Sequence, residues 1–148
     1  MVALISRRRQ QMKYPDSEGT IIFDLNHEKK IDKKFKLRFS IMYLDRVASD
    51  FYYCDEEKRI LVVNYTERIC ELGFGGGVVT PQRVYEYFQS RTIDQARPDL
   101  KEYLARLGLT EYNPYKMVRE THGLMWDDYQ WVRFPDDTVT YEEIKIRD

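Results

Sequence analysis

From Lys34 to Ile41 the chain alternates without interruption. Phe35, Leu37, Phe39 and Ile41 fall on one side of an extended backbone, and Lys34, Lys36, Arg38 and Ser40 on the other. A helix, whose side chains recur roughly every 3.6 positions, would scatter these residues around its circumference. The segment therefore reads as a β-strand with one buried and one wet face. Thr20–Leu25 (TIIFDL) is also β-rich, and the polar run Asn26-His27-Glu28-Lys29-Lys30 reads as a hairpin loop joining the two. A second hairpin pairs Phe51–Cys54 with Ile60–Val63 across the charged turn Asp55-Glu56-Glu57-Lys58. The expectation is a small antiparallel sheet within residues 20–65.

The second half changes period. Thr80 is a good N-cap and Pro81 suits the first helical position, where its missing N–H has no partner to lose. Val84 and Phe88 then share a face, with Tyr85 beside them. Pro98-Asp99 opens a second helix with a Leu100, Leu104, Leu107 stripe, closed by Gly108 as a left-handed cap. Asn113-Pro114 opens a third, with Met117, Val118 and Thr121 inward and Gly123 closing it. Gln130–Phe134 (QWVRF) reads as a final strand. After it, Thr140 and Glu143 have capping-box spacing for a helical turn, while Val139, Tyr141 and Ile144 alternate as in a strand. Both readings stay open. The fold class expected is α+β: one domain over residues 1–148, β-rich over 1–79 and helical over 80–148, with three helices and a final strand.

Charge excludes some classes of partner. Lysine and arginine number 24 against 25 acidic residues, a net charge of -1. A general nucleic-acid binder carries a basic excess, and a mimic of DNA an acidic one. Local patches survive such an average, among them Arg7-Arg8-Arg9, read as a solvated terminus, and the Lys34, Lys36, Arg38 face. The 12 tyrosines of the chain either line the rim of a small core or form a recognition surface. Val2-Ala3-Leu4-Ile5 is too short for a secretory signal, and no stretch approaches the roughly 20 apolar residues of a membrane span. A cytoplasmic protein is expected, with Cys54 and Cys70 reduced and at least partly buried.

No arrangement of residues announces chemistry. His27, Cys54, Cys70 and His122 are the soft ligands, and no two have the close spacing of a zinc site; His122, just before Gly123, reads instead as a helix cap whose imidazole interacts with the C-terminal dipole. Neither cysteine has a setting that would lower its pKa for catalysis. The acidic pairs Asp55-Glu56-Glu57, Asp127-Asp128 and Asp136-Asp137 lie in turns, where such residues bond backbone N–H groups. Gly73-Phe74-Gly75-Gly76-Gly77 lacks the lysine and hydroxyl residue of a phosphate loop, because Val78-Val79-Thr80 comes next; it reads as a flexible joint. The chain is expected to be no enzyme and to use no metal and no cofactor.

A resemblance carries the reading further. Asn64-Tyr65-Thr66, Gly73, Thr80, Arg91, Arg97, Leu107-Gly108-Leu109, Tyr112-Asn113-Pro114, Thr121, Gly123, Asp128 and Trp131, in that order and spacing, resemble small uncharacterised proteins of Firmicutes mobile genetic elements. More distantly, the run is similar to a segment preceding the kinase core in some HipA-like proteins; kinase chemistry is not implied, because the nucleotide-binding and catalytic-base motifs are missing. The resemblance spans residues 60–134 and brings no catalytic residues. Its recurring polar positions fall on Arg91, Arg97, Asp128 and Trp131. In a structural reading Arg91 or Arg97 bridges to Asp128 over a packed Trp131; in a functional one the four form a surface.

Together these features lead to a non-enzymatic protein-binding module of a mobile element, an inhibitor of a host defence nuclease of the anti-CRISPR type. Its candidate interaction residues are Arg91, Arg97, Asp128, Trp131, Lys34, Lys36 and Arg38. The alternative is a small nucleic-acid-binding or regulatory protein, with nucleic-acid affinity weak or absent in the first reading.

Overall fold

The alternating segment is a strand, β2 (Lys36–Tyr43), with a neighbour on each side. A computed structural model describes residues 31–74 and 79–146 and the backbone of residues 20–24; Arg7-Arg8-Arg9, Asn26–Lys30 and Gly75–Gly77 lie outside them. β2 pairs antiparallel with β3 (Arg46–Cys54) and, on its other edge, with β5 (Gln130–Arg133). β3 pairs antiparallel with β4 (Arg59–Asn64), as the second hairpin required. β1 (Thr20–Asp24) completes a five-stranded sheet in the order β1-β4-β3-β2-β5.

The first hairpin is not formed. β1 lies beyond β4 and parallel to it, with Thr20 opposite Ile60 and Asp24 opposite Asn64. Both edges of β2 are filled, one by β3 and one by β5, so β1 has no place beside it. β2 turns back instead through two residues, Leu44-Asp45, between the paired Tyr43 and Arg46. Leu44 has φ of 55°, a left-handed conformation that a leucine adopts only when held there. Three contacts hold it from elsewhere in the chain. Leu44 N–H donates to Tyr129 O at 3.1 Å, Trp131 Nε1–H donates to Leu44 O at 2.7 Å, and Tyr141 N–H donates to Asp45 Oδ1 at 2.8 Å.

The alternation of β2 is also broken. Leu37 pairs with Tyr52 but Phe39 with Phe51, so Arg38 is the extra residue of a β-bulge, and a second irregularity separates Ile41 from Met42. An inserted residue shifts the register by one and changes which face a side chain takes. Leu37 therefore sits on the face opposite Phe39, and does not share its side as simple alternation required. Lys36, paired with Tyr53, lies on the side of Phe51 and Phe39.

The helices follow their caps: α1 (Pro81–Ser90), α2 (Leu100–Arg106), α3 (Pro114–Thr121) and α4 (Tyr141–Ile144). Thr80 and Asn113 side chains accept from Arg83 N–H and Lys116 N–H, each at 3.2 Å. Gly108, at φ +79°, ends α2 in a Schellman arrangement, with Leu109 N–H on Leu104 O and Gly108 N–H on Ala105 O. Only Leu104 of the α2 stripe is fully buried; Leu100 and Leu107 are half-buried. At the end of α3 the left-handed cap is His122, at φ 60°, and not Gly123, which comes after it. The imidazole explains the difference: Nδ1 lies 3.2 Å from Val132 O and ties the cap to β5. The last segment is a helix, its Glu143 carboxylate accepting from Thr140 N–H at 2.8 Å.

Helices and sheet enclose two apolar clusters. On one face Phe39, Ile41, Phe51, Ile60, Val62 and Val132 of the sheet meet Val84, Tyr87 and Phe88 of α1, Val118 of α3, and Phe74 and Val79. On the other, Met42 and Trp131 meet Tyr141 of α4, flanked by Val47, Leu124, Val139 and Ile144. Gly73 and Phe74 are not a joint. Phe74 is buried in the first cluster, and a Cβ on Gly73 would strike Ile41 Cδ1 and lie 2.8 Å from Tyr87 Cε1. The expected burial of both cysteines holds for Cys54 only; Cys70, in the 3₁₀ turn Ile69–Glu71, is exposed.

Candidate binding groove

The four polar positions of the resemblance separate into distinct roles. Arg91, at the end of α1, is buried and points its guanidinium at the approach to β5. Nε donates to Gly123 O at 2.9 Å, Nη1 to Asp128 Oδ2 at 2.7 Å, and Nη2 to Asp128 Oδ1 at 3.0 Å and Gln130 O at 2.5 Å. Burial alone would lower the pKa of Arg91, but the bond to Asp128 and the charges of Tyr87, Asp128 and Asp127 together outweigh it, and the value ends above that of an ordinary arginine. Arg97 takes no part in this clasp. It bonds Asp99, two residues away, and both are exposed. Trp131 is fully buried on the opposite face of the sheet.

Arg91 also helps close an edge. The outward N–H groups of β5 and its flank are taken by Asp128 Oδ1 (Gln130), His122 O (Val132) and Asp137 Oδ2 (Phe134), at 2.8–3.2 Å. The carbonyls of Gln130 and Val132 meet Arg91 and His122. No backbone group along this edge from Gln130 N to Phe134 N that points outward is left to pair with another strand, which is how a sheet avoids edge-to-edge association.

The strand cations do not form a continuous face. Lys34 precedes β2 and bonds Glu57 at 2.5 Å, which raises its pKa. Arg38 is turned by the bulge toward the helical side, 5.5 Å above the Tyr53 ring, with Nη2 on both oxygens of Asp55. Lys36 alone of the three has no ion-pair partner among the described residues. The acidic turn Asp55-Glu56-Glu57, expected to bond backbone N–H groups, thus neutralises two of the three cations.

A groove opens where Arg38 turns. Its volume is about 440 Å³, between the ends of β2–β4 (Arg38, Phe39, Phe51, Tyr53, Ile60), α1 (Pro81, Val84, Phe88), α3 (Tyr115, Arg119) and Phe134. The aromatic rings are fixed against one another: Phe39 stacks on Phe51 at 4.5 Å, and Phe88 meets Tyr115 at 4.7 Å. Burial raises the pKa of the Tyr115 hydroxyl. Arg119 lies over the Phe134 ring at 4.5 Å and bonds Asp136 at 2.7 Å. Of these residues only Arg38 was singled out from sequence. Tyr115 and Arg119 stand four positions apart on α3, a spacing that places them on one face; their common face points to the groove.

Among the described residues no three His, Cys, Asp or Glu side chains converge on a point where a metal would sit, and no helix is long and apolar enough to cross a membrane. His27 lies outside the described residues. Compared with protein-family models, with curated proteins and with solved structures, the chain matches none.

Proposed function

We propose that the chain is a non-catalytic protein-binding module, and that the groove between the sheet, α1 and α3 is where a partner docks. The observation that carries this reading is the groove itself, an open hollow with ordered aromatic walls and arginines at its mouth. Buried aromatic anchors in preformed pockets supply most of the energy of protein–protein recognition, and such pockets have this composition. The resemblance to mobile-element proteins supplies the partner class, a defence nuclease of the host, which the module would inhibit by occupation rather than by chemistry. The nucleic-acid alternative is weakened by the pairing of Lys34 and Arg38 with carboxylates, since a paired cation releases fewer phosphate counterions.

The test is affinity capture from a lysate of a Firmicutes host, with the native chain and a Tyr115→Ala variant side by side. A nuclease retained by the first and lost from the second supports the reading. Recovery of nucleic acid alone, equal for both, puts the alternative first.

A further inference from the structure

The groove does not end at Arg119. A second hollow of about 430 Å³, lined by Leu109 and Lys116 among others, shares Tyr115, Arg119 and Phe134 with the first. The two hollows adjoin at Tyr115, Arg119 and Phe134, which line both. Their charge is asymmetric. Arg38, Arg119 and Lys116 line the hollows, against a single acid, Glu120. Asp55 and Asp136, which neutralise the two arginines, are not part of the lining and are the more exposed members of their pairs, at 74% and 68%.

The arginines are also only partly engaged. Arg38 and Arg119 each use Nη2 alone on their aspartate. A guanidinium has further N–H donors on Nε and Nη1, and these have no hydrogen-bond partner among the described residues. Both groups are already oriented by the rings beneath them, over Tyr53 and Phe134, so a ligand would not have to order them.

Resting on the protein-binding reading above, we propose that the two adjoining hollows take an acidic segment of the partner carrying two apolar side chains. One side chain enters each hollow, and a carboxylate beside them bonds the open side of Arg38 or Arg119. A single-stranded nucleic acid fits less well. It needs exposed ring faces for its bases, whereas Phe39, Phe51 and Phe88 are buried to 6% exposure or less, Tyr53 and Phe134 are half-buried with Arg38 and Arg119 over their rings, and Tyr115 is exposed, at 43%.

Fluorescence anisotropy on the full chain tests this, with labelled peptides that present one phenylalanine and one leucine on the same side. The flanking residues are Asp and Glu in one peptide, Asn and Gln in a second, and Lys in a third; an oligothymidylate is the fourth probe. The acidic peptide is expected to bind about tenfold tighter than the neutral one, a modest gain for a charge-assisted pair, and the basic one weakest. In the double variant Arg38→Gln with Arg119→Gln, the acidic peptide should fall to the neutral one's affinity while the neutral one is unchanged. Equal affinity for all three peptides, binding of none, or tighter binding of the oligothymidylate would overturn the proposal. A photo-cross-linking residue at position 115 separates its failure from that of the broader reading. A host protein cross-linked there while no acidic peptide binds overturns the acidic-segment inference and leaves protein binding standing. No cross-linked protein and no bound peptide removes both.

Discussion

Arg91 and Arg97 have the same side chain, and the fold uses them in opposite ways. Arg91 spreads three nitrogens over Gly123 O, Asp128 and Gln130 O in a buried site, whereas Arg97 makes one exposed pair with Asp99. Only a planar fork can reach all the Arg91 acceptors together. Replacing it by lysine is therefore expected to cost about 3 kcal/mol, nearly as much as Arg91→Ala, because buried carbonyls lose their donor either way. Urea denaturation measures both; a lysine variant as stable as the native chain would show that charge alone suffices. Arg97→Ala should leave the midpoint unchanged, since exposed pairs contribute little. The sequence offered either arginine as the partner of Asp128. The deciding residue was present in it: Asp99 stands two positions from Arg97, whereas the carboxylate nearest Arg91 in sequence, Asp94, is three positions away.

Elements divide by how far their causes lie along the chain. The starts of α1 and α3 were legible because Thr80-Pro81 and Asn113-Pro114 act on N–H groups within one turn. The Leu44-Asp45 turn was not, because the groups that stabilise it belong to Tyr129, Trp131 and Tyr141. The bulge at Arg38 was hidden for a similar reason: a perfect alternation in one strand says nothing of an offset in its partner. The groove inherits that gap, since the bulge is what brings Arg38 to its mouth. Thermal unfolding should register the contrast. Thr80→Ala removes one cap and should cost about 1 kcal/mol. Gly73→Ala forces a methyl group against Ile41 and Tyr87 in the core and should cost more, about 1–3 kcal/mol. Equal losses would mean that the segment around Gly73 yields freely, as the joint reading required.

At the scale of the molecule, both faces of the sheet hold a tyrosine that resists ionisation. On the helical side Tyr87 is buried and its O–H donates to Gln130 Oε1 at 2.6 Å; burial raises its pKa well above the usual value. On the other side Tyr65 is raised by burial first and then by its bond to Asp50, which Ser40 also donates to. Both groups hold their proton more firmly folded than unfolded. The stability they contribute is complete below the ordinary tyrosine pKa of about 10 and is lost as pH climbs through and beyond it. The unfolding midpoint is thus expected to be level between about pH 7 and 9 and to fall above about pH 10. The fall should be shallower in Tyr87→Phe; an identical slope in that variant would remove Tyr87 from the explanation.

The parallel pairing of β1 with β4 has a consequence for synthesis. Among the described strands β1 is the first to leave the ribosome, yet its partner residues begin only at Ile60, after two further strands. β2, β3 and β4 join through short turns and can zip together as they emerge, while β1 must wait for a finished edge and close a long loop to reach it. β1, made before β2, β3 and β4, is then placed only after all three, and until it docks the nascent chain presents the open side of β4 to its surroundings.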